Sequence, residues 1–509
     1  MKEFPFIIAE SLSRGLRPED TYLNKEGYLE ECLNMKPNPG GLVSYEAPTD
    51  PFSGGQVVDF PFPQFVRGQE LTLLFDKTAV YELATGSIPW TKTILSLNSP
   101  SLPSSTSSIT QDGVWHFVDL GPAFYAFNGS STVFRTGLDR LESSASSSTY
   151  VTDSVTISTG CEHKGRVYIG GLDQSNVWNK LWQEVFAQWE KEADLKEIDL
   201  IANGPDINWV MWSSIGGGDF PLWLLYPSGF GQLNLGPSKE FVLEKLRRNE
   251  FGWKPMKFEG QVHVLKPLGD FVVAYGADGI EALEPRGPDM GFRTIAQFGV
   301  LGRGAVGGDI NGHVFIAQDG ELWGLSPTLE LVRFGYKEWF SGFSSVSTAI
   351  TLNPVWREFF LSDPDTSYIF HPQNGLNEIQ DRITSSTYFN GVHYALASSG
   401  ASTSIRVLTG AHDNDRQALK FIHNIQVQYQ DITNLTIELL FRYNSTSAFS
   451  SLGPTSVSPS GIVTFSCTAL EFKVRLRGTP GSNPRIDRLE VRWSLVDKRA
   501  VRGLFGTEQ

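Results

Sequence analysis

The chain has 509 residues, more than one hydrophobic core usually organises, and a net charge of −14, which argues against a protein whose task is to grip nucleic acid by its phosphates. Hydrophobic residues at 40%, with 34 Phe and 13 Trp, supply ample core, while 50 Gly and 28 Pro suit many short strands joined by tight turns. Cys32, Cys161 and Cys467 are too few and too scattered for a disulfide framework or a C-x-x-C metal site, which predicts buried or free thiols and folding in a reducing compartment.

The opening MKEFPFIIAESLSRG has neither a basic n-region nor an apolar run long enough for a secretory signal, and no later run approaches the roughly 20 apolar residues that cross a bilayer. A soluble protein with no membrane insertion is expected. Residues 1–63 are rich in Pro, Gly and acid, with the turn cluster Met35 to Gly41 before a strand-like Leu42 to Tyr45. They read as an N-terminal arm that supplies a ring-closing strand.

From residue 64 one unit recurs: an aromatic or β-branched run, a turn of two to six residues, then a second such run. GDFVVAYGADGIEAL (Gly269 to Leu283) and GHVFIAQDGELWGL (Gly312 to Leu325) carry it best. Weaker copies are Gln69 to Leu83, Gly113 to Phe127, Gly165 to Trp178, Asp219 to Leu235, Arg357 to Phe370 and Ser404 to Leu419. Their starts lie about 50 residues apart, close to the spacing of β-propeller blades. The fold class expected is therefore all-β: a β-propeller of seven or eight blades over 64–418, each copy giving the two central strands of a blade. A stiff disc of this kind binds or conducts more often than its sequence reveals a chemistry.

One helical insertion interrupts the strands near 178–199. Trp178, Leu181, Trp182, Val185, Phe186 and Trp189 fall on one stripe, with Lys180, Glu184, Gln188 and Lys191 between them. Such a stripe can cap a propeller edge or form an adhesive face for a neighbouring subunit, so Trp178, Trp182 and Trp189 are interface candidates. A second helical stretch, Ser238 to Glu250, has Ser238 in N-cap position and Glu240 favouring its start.

Residues 419–509 change character, with longer alternating strands at Ile422 to Gln430, Leu435 to Asn444, Ile462 to Leu470, Phe472 to Gly478 and Ile486 to Leu495. Phe472, Val474 and Leu476 point one way and Lys473, Arg475 and Arg477 the other, while Leu489, Val491 and Trp493 alternate with Arg488, Glu490 and Arg492. This predicts a C-terminal antiparallel β-sandwich with a basic tail. From Glu471 to Gln509 nine basic residues face five acidic ones, a balance of +4 that leaves −18 on the rest. Arg488, Arg492, Lys498, Arg499 and Arg502 are accordingly candidates for head-to-tail contact between copies or for docking on an acidic partner.

The motifs carry little chemistry. Asp309-Ile310-Asn311-Gly312 opens like a calcium loop but lacks a third acidic ligand, and Glu321 falls one place late, so a β-turn is expected. His412-Asp413-Asn414-Asp415 reads as a polar turn. AQDGELWGL (Ala317 to Leu325) lacks the leading Ser and the Thr-Trp ending of a sialidase aspartate box, and GRGAVGG (Gly302 to Gly308) lacks the Lys-Ser/Thr end of a phosphate loop. No catalytic set, metal site or cofactor is expected.

Three stretches together resemble the propeller proteins of short-tailed phage tails, known as nozzle, tail hub, tail stabilisation or head-completion proteins. They are DTYLNKEGYLEECLNMKPNPGGLVSYEAPT (Asp20 to Thr49), GQVHVLKPLGDFVVAYGADGIEALEP (Gly260 to Pro285) and IDRLEVRWSLVDKRAVRGLFG (Ile486 to Gly506), together 77 of the 509 residues. The resemblance implies a non-enzymatic virion protein, assembled in the host cytoplasm into a tail ring of about six copies below the portal-adaptor complex. Genomic DNA would pass through that ring without specific binding, and tail fibre or spike proteins would be further partners. No functional residue carries over, because the family has no invariant catalytic set. The chain also lacks the long insertions with which large nozzle proteins dock fibres. The competing expectation is a propeller that binds or degrades host glycans, which would need two or three carboxylates converging at a channel mouth.

Overall fold

The computed structural model describes residues 4–7, 12, 14–18, 28–38, 41–45, 47–52, 64–67, 72–75, 79–95, 97–99, 102–106, 114–120, 124–130, 132–135, 149–152, 157–172, 206–215, 252–286, 289–398, 404–412 and 418–496. Both expected helical segments, at 178–199 and Ser238 to Glu250, lie outside them. The chain divides into two compact units: Pro48–Asp365 with Ile383–Ser398, and Met1–Ala47 with Thr366–Arg382 and Ser399–Gln509.

The first unit is a β-propeller, as its own sheet succession states. Four blades are four-stranded antiparallel meanders: Gln64–Arg67, Thr72–Phe75, Val80–Ala84 and Thr91–Ile94 form the first; Ile157–His163, Arg166–Leu172, Trp209–Trp212 and Gly252–Pro255 the third. Val262–Leu268, Phe271–Gly276, Ile280–Arg286 and Asp289–Ala296 form the fourth, and Val306–Asp309, Gly312–Ile316, Leu322–Leu325 and Leu331–Gly335 the fifth. The second blade, His116–Asp119, Phe124–Phe127, Thr132–Arg135 and Thr149–Thr152, is widened by Leu97–Ser99, which runs parallel to Thr149–Thr152, and by Leu102–Thr106. Ala349–Asn353 with Glu358–Ser362, and Arg382–Phe389 with Val392–Ser398, begin the sixth and seventh.

Apolar faces of neighbouring blades interlock. Leu73, Phe75 and Val80 pack with Trp115, Phe124 and Val133; Cys161, Tyr168 and Trp212 with Val262, Leu265 and Val272; Val264, Val273 and Tyr275 with Val306, Phe315 and Leu325. Ring closure is equally direct. Leu74, Leu83 and Trp90 of the first blade pack on Tyr394 and Leu396 of the seventh, and Thr49 joins that blade by accepting from Ala395 N and donating to His393 O. Among the described residues the ring thus closes on seven blades.

The Gly-rich run at 302–308 has a packing role. A Cβ on Gly304 would run into the Thr348 carbonyl oxygen, and Ile350 N donates to Gly304 O at 2.9 Å, so the backbones of the fifth and sixth blades meet too closely for a side chain.

In the second unit two long strands, Lys420–Arg442 and Glu471–Leu495, pair along most of their length. The stretches 422–430 and 435–444 are one bent strand, as are 472–478 and 486–495. Asp431 and Asn434 hold positive φ at the bend, and the Asp431 carboxylate accepts from Ser482 Oγ at 3.1 Å and Asn483 N at 2.5 Å, tying the two bends together. On one side of the bends Lys420–Arg442 pairs with Ile462–Ala469 and Glu471–Leu495 with Phe4–Ile7; on the other they pair with Ser450–Ser456 and Ile405–Thr409. The two long strands are therefore shared by both layers of the sandwich. Ile425, Val427, Ile437, Leu439, Phe472, Val474, Leu476, Leu489 and Val491 are buried, so the alternation predicted for these strands is the core face.

Two segments read as belonging elsewhere fall in this second unit. Ile405–Thr409, within the stretch taken as an eighth blade copy, pairs with Leu29–Leu33 and with Glu471–Leu495, and Leu29–Leu33 itself lies within the N-terminal arm. Gly113 to Phe127 contributes the first two strands of its blade, not the central two.

Candidate functional site

The predicted interface arginines are built into the sandwich unit. Residues 488, 490 and 492 share one face of Glu471–Leu495, opposite buried Leu489, Val491 and Trp493. Arg488 Nη2 donates to Glu490 Oε2 at 2.8 Å and Arg492 Nε to Glu490 Oε1 at 3.1 Å. The carboxylate is 8% exposed and the two guanidinium side chains 40% and 43%, so two cations cover one anion. Lys473 likewise reaches Glu30 at 2.6 Å, and Arg475 spans Glu31 at 3.3 Å and Glu438 at 3.1 Å. Arg442 clamps Glu471. Trp178, Trp182, Trp189, Lys498, Arg499 and Arg502 lie outside the described residues.

Asp309 sits in the tight turn between Val306–Asp309 and Gly312–Ile316, accepting from Asn311 N at 2.9 Å and from Arg357 Nη1 at 2.7 and 2.8 Å. Burial alone would raise its carboxyl; the bonds from Arg357 and Asn311 outweigh burial and hold it below the ordinary carboxylate value. Asp319 accepts from Glu321 N at 3.1 Å and pairs with Lys337 at 3.0 Å. Both are turn carboxylates with cationic neighbours. His412 forms a bridge with Phe472, and Asp413 lies outside the described residues.

A different constellation collects on the innermost strands of the propeller. His116 opens the first strand of the second blade, His263 and Lys266 lie on the first strand of the fourth, and Arg303 lies just before the first strand of the fifth. The intervening strand Ile157–His163 aligns these elements: Gln261 Nε2 donates to Ser158 Oγ at 2.5 Å and Leu265 N to Thr159 Oγ1 at 2.9 Å. Arg303 donates Nη1–H to the Asn128 carbonyl, its guanidinium lies across Gly129, and the Cβ position of the next residue, Gly304, is 2.8 Å from Val114 Cγ2. Arg303 is thereby held against the strand pair that carries His116, whose partner across the ladder is Phe127.

The electrostatics of this cluster are one-sided. His116 is pushed down to about 3 by burial and by Lys266, Arg303 and His263; His263 is pushed down to about 4 by burial and by Arg303. Burial also lowers the Lys266 ammonium, against opposing pulls from Cys161 and Asp309. His116 Nε2 and His263 Nδ1 are buried without a hydrogen-bond partner. His313 provides the contrast. Its Nε2 donates to Pro267 O at 3.0 Å, which fixes the tautomer, and its Nδ1 accepts from the Tyr275 hydroxyl at 2.8 Å.

No family model matches the chain. No curated protein matches it either. Among solved structures it is similar to PorZ of Porphyromonas gingivalis, a surface component of the type-IX secretion system, at 9% identity and a TM-score of 0.34, over 70% of this chain and 37% of that one. BamB of Moraxella catarrhalis is matched at 10% identity and a TM-score of 0.35, over 72% and 97% of the two chains. The Pan2 WD40 domain of Neurospora crassa is matched at 8% identity and a TM-score of 0.34, over 69% and 91%.

Sequence reasoning missed the axial cluster because its members are separated by up to 187 positions, from His116 to Arg303. A signal was present. His116, and His263 with Lys266, interrupt the apolar runs WHFV and VHVLK at blade starts, where a strand buried on both faces is expected to be continuously apolar.

Proposed function

We propose that this chain is a structural, non-enzymatic virion protein whose copies assemble into a ring of about six, extending and closing the DNA conduit of a short-tailed phage below its portal-adaptor. The observation that carries this reading is the use the fold makes of the three stretches that resemble the tail-hub family. Asp20 to Thr49 contains strands Leu29–Leu33, Met35–Asn38 and Gly41–Ser44 and ends at the Thr49 contact that closes the propeller. Gly260 to Pro285 contains the first three strands of the fourth blade. Ile486 to Gly506 begins within the long strand shared by both layers of the sandwich. All three are structural joints, the parts that a stiff scaffold protein needs.

Two further features support a conduit component. The net charge of −14 repels phosphate at close range while salt confines that field to roughly 8–10 Å, so DNA slides past without being held. The neighbouring propeller turns carrying Ile310 and Val355–Trp356 expose those apolar side chains, Trp356 at 54%, and the Arg357–Asp309 ion pair links the turns. An exposed Trp and two aliphatic residues on a rigid turn pair suit contact with a neighbouring copy.

Electron microscopy and mass photometry of the purified chain test this reading. Rings of several copies are expected, and Trp356→Ser is expected to weaken assembly with an unchanged circular dichroism spectrum. A chain that stays monomeric at micromolar concentration, is absent from phage particles, and releases sugar from lipopolysaccharide or capsule would overturn the proposal in favour of a glycan-degrading propeller.

A further inference from the structure

We propose that the cross-strand pair Arg406 and Arg477, on the outer face of the sandwich unit, docks a carboxylate-bearing surface of a second copy of this chain, a contact that presupposes the ring proposed above and would hold one copy to the next. Arg406 on Ile405–Thr409 lies directly opposite Arg477 on Glu471–Leu495. The same row continues through Thr436 on Lys420–Arg442 to Ser456 at the edge of the sheet, with no acid in it. Val407, Leu476 and Ile437 are buried on the opposite face, and Arg406 and Arg477 are exposed. Like charges directly opposite one another on antiparallel strands repel, and an acid facing either arginine would stabilise the isolated chain better.

Neither guanidinium makes a hydrogen bond or an ion pair among the described residues, although the other cations of the same strand face do: Arg475 pairs with Glu31 and Glu438, and Lys473 with Glu30. Two carboxylates feel the arginine pair. Glu438, beside Arg477, is held by Arg475 at 3.1 Å and by Ser451 Oγ at 2.5 Å. Glu378, drawn by Arg406, is half-buried, and burial raises its carboxyl, which favours the uncharged form. The pair therefore keeps a positive charge that an outside acid completes.

Charge and the form of the sheet edge select the occupant. The net charge of −14 counts both arginines, so the carboxylates that another copy presents are in excess. A guanidinium takes a carboxylate through two parallel N–H···O bonds, and two guanidinium groups side by side suit two carboxylates of one surface. Strand addition is disfavoured at this end of the sheet, because the edge strand Ser450–Ser456 carries Pro454, a residue that blunts an edge. Contact through side chains on the face remains. An arginine patch repels its own copy, so it meets a different, acidic surface, and such a heterologous contact is the kind that closes rings.

The test compares the full-length parent with the double variant Arg406→Gln and Arg477→Gln by mass photometry and sedimentation over a range of protein concentrations. The variant is expected to melt no lower than the parent, since a repulsive pair is gone, and to raise the dissociation constant of self-assembly at least about tenfold. Parent assembly is expected to weaken between about 0.05 and 0.5 M sodium chloride, and that of the variant to change far less. Equal assembly of parent and folded variant overturns this contact and leaves the ring reading standing, whereas a parent that stays monomeric even at low salt overturns both. Should the variant fail to fold, the salt series of the parent decides: assembly as tight at about 0.5 M as at about 0.05 M refutes the arginine pair as the contact.

Discussion

Among the described residues of the sandwich unit most strand cations pair with carboxylates: Lys473 with Glu30, Arg475 with Glu31 and Glu438, Arg442 with Glu471, and Arg488 and Arg492 with Glu490. In the propeller the inner strands set histidines beside cations: Lys266 and Arg303 act on His116, and Arg303 acts on His263. The difference follows from where each strand face looks. On the outside of a sandwich the acid sits directly opposite, as Glu471 does from Arg442 and Glu438 from Arg475, or two residues along the same strand face, as Glu490 does from Arg488 and Arg492. At the hub of a propeller the first strands face one another across a narrow space, and a residue's surroundings come from blades remote in sequence. The first geometry pairs charge locally; the second holds histidines neutral beside cations.

That comparison is most exposed to acid. His116 and His313 are held down at about 3, and His263 and His393 at about 4, against an ordinary value of 6.5, and all four lie in the propeller unit. They stay neutral in the fold while the unfolded chain takes up protons, so stability falls as pH drops through 6.5 toward 3. The fully buried His116 and His313 each contribute a loss on the order of 2 kcal/mol by pH 5, and the more exposed His263 and His393 contribute less because solvent screens them. In the sandwich unit burial raises the Glu378 and Asp381 carboxyls, and a raised acid favours the fold at low pH and loses that contribution as pH rises. Asp363 does the same within the propeller, a smaller opposing effect than four histidines. Hydrogen exchange at pH 7 and pH 5, corrected for intrinsic rates, should show residues 157–172 and 262–286 losing protection before 420–442 and 471–495. Protection lost first in the sandwich unit would reverse the assignment.

A second contrast lies within the propeller. Gly304→Ala forces a methyl into the Thr348 carbonyl where two blades meet and should cost about 3 kcal/mol, whereas Gly342→Ala meets nothing within 4 Å and should be neutral or slightly stabilising. Denaturant midpoints measure both. Equal effects would mean that the fifth and sixth blades do not approach as closely as the Ile350–Gly304 hydrogen bond requires.

What was legible in the sequence was whatever depends on near neighbours. The repeat in GDFVVAYGADGIEAL and GHVFIAQDGELWGL corresponds to the second and third strands of two blades, and the alternation at 472–476 and 489–493 corresponds to a buried and an outward face. The turn reading of Asp309-Ile310-Asn311-Gly312 matches its hairpin. Pairing between distant segments was hidden. Nothing local in Leu29–Leu33 indicates that it will lie beside Ile405–Thr409, or that Phe4–Ile7 will pair with Glu490 to Trp493. Alternation also ran out at the bends, because Asp431 and Asn434 look like ordinary loop residues although the strand continues through them. The axial cluster was illegible for the same reason as the arm: proximity there is set by ring closure.

The smallest expected effect concerns the residues first singled out for their charge. Arg488→Gln removes one of two guanidinium groups from Glu490, and Arg492 keeps the carboxylate satisfied. Because Arg488 is 40% exposed, its pair is worth no more than an ordinary surface ion pair, and the variant should lose about 0.5 kcal/mol or less. Glu490→Gln should cost more, about 1–2 kcal/mol, since it leaves two cations side by side over a largely buried amide. Chemical denaturation of the two variants separates the cases. If Arg488→Gln were the costlier, the pairing in the sandwich unit would not be redundant. If the order holds, Arg488 is dispensable to the fold, and any larger effect of its loss on ring assembly reports contact with another copy.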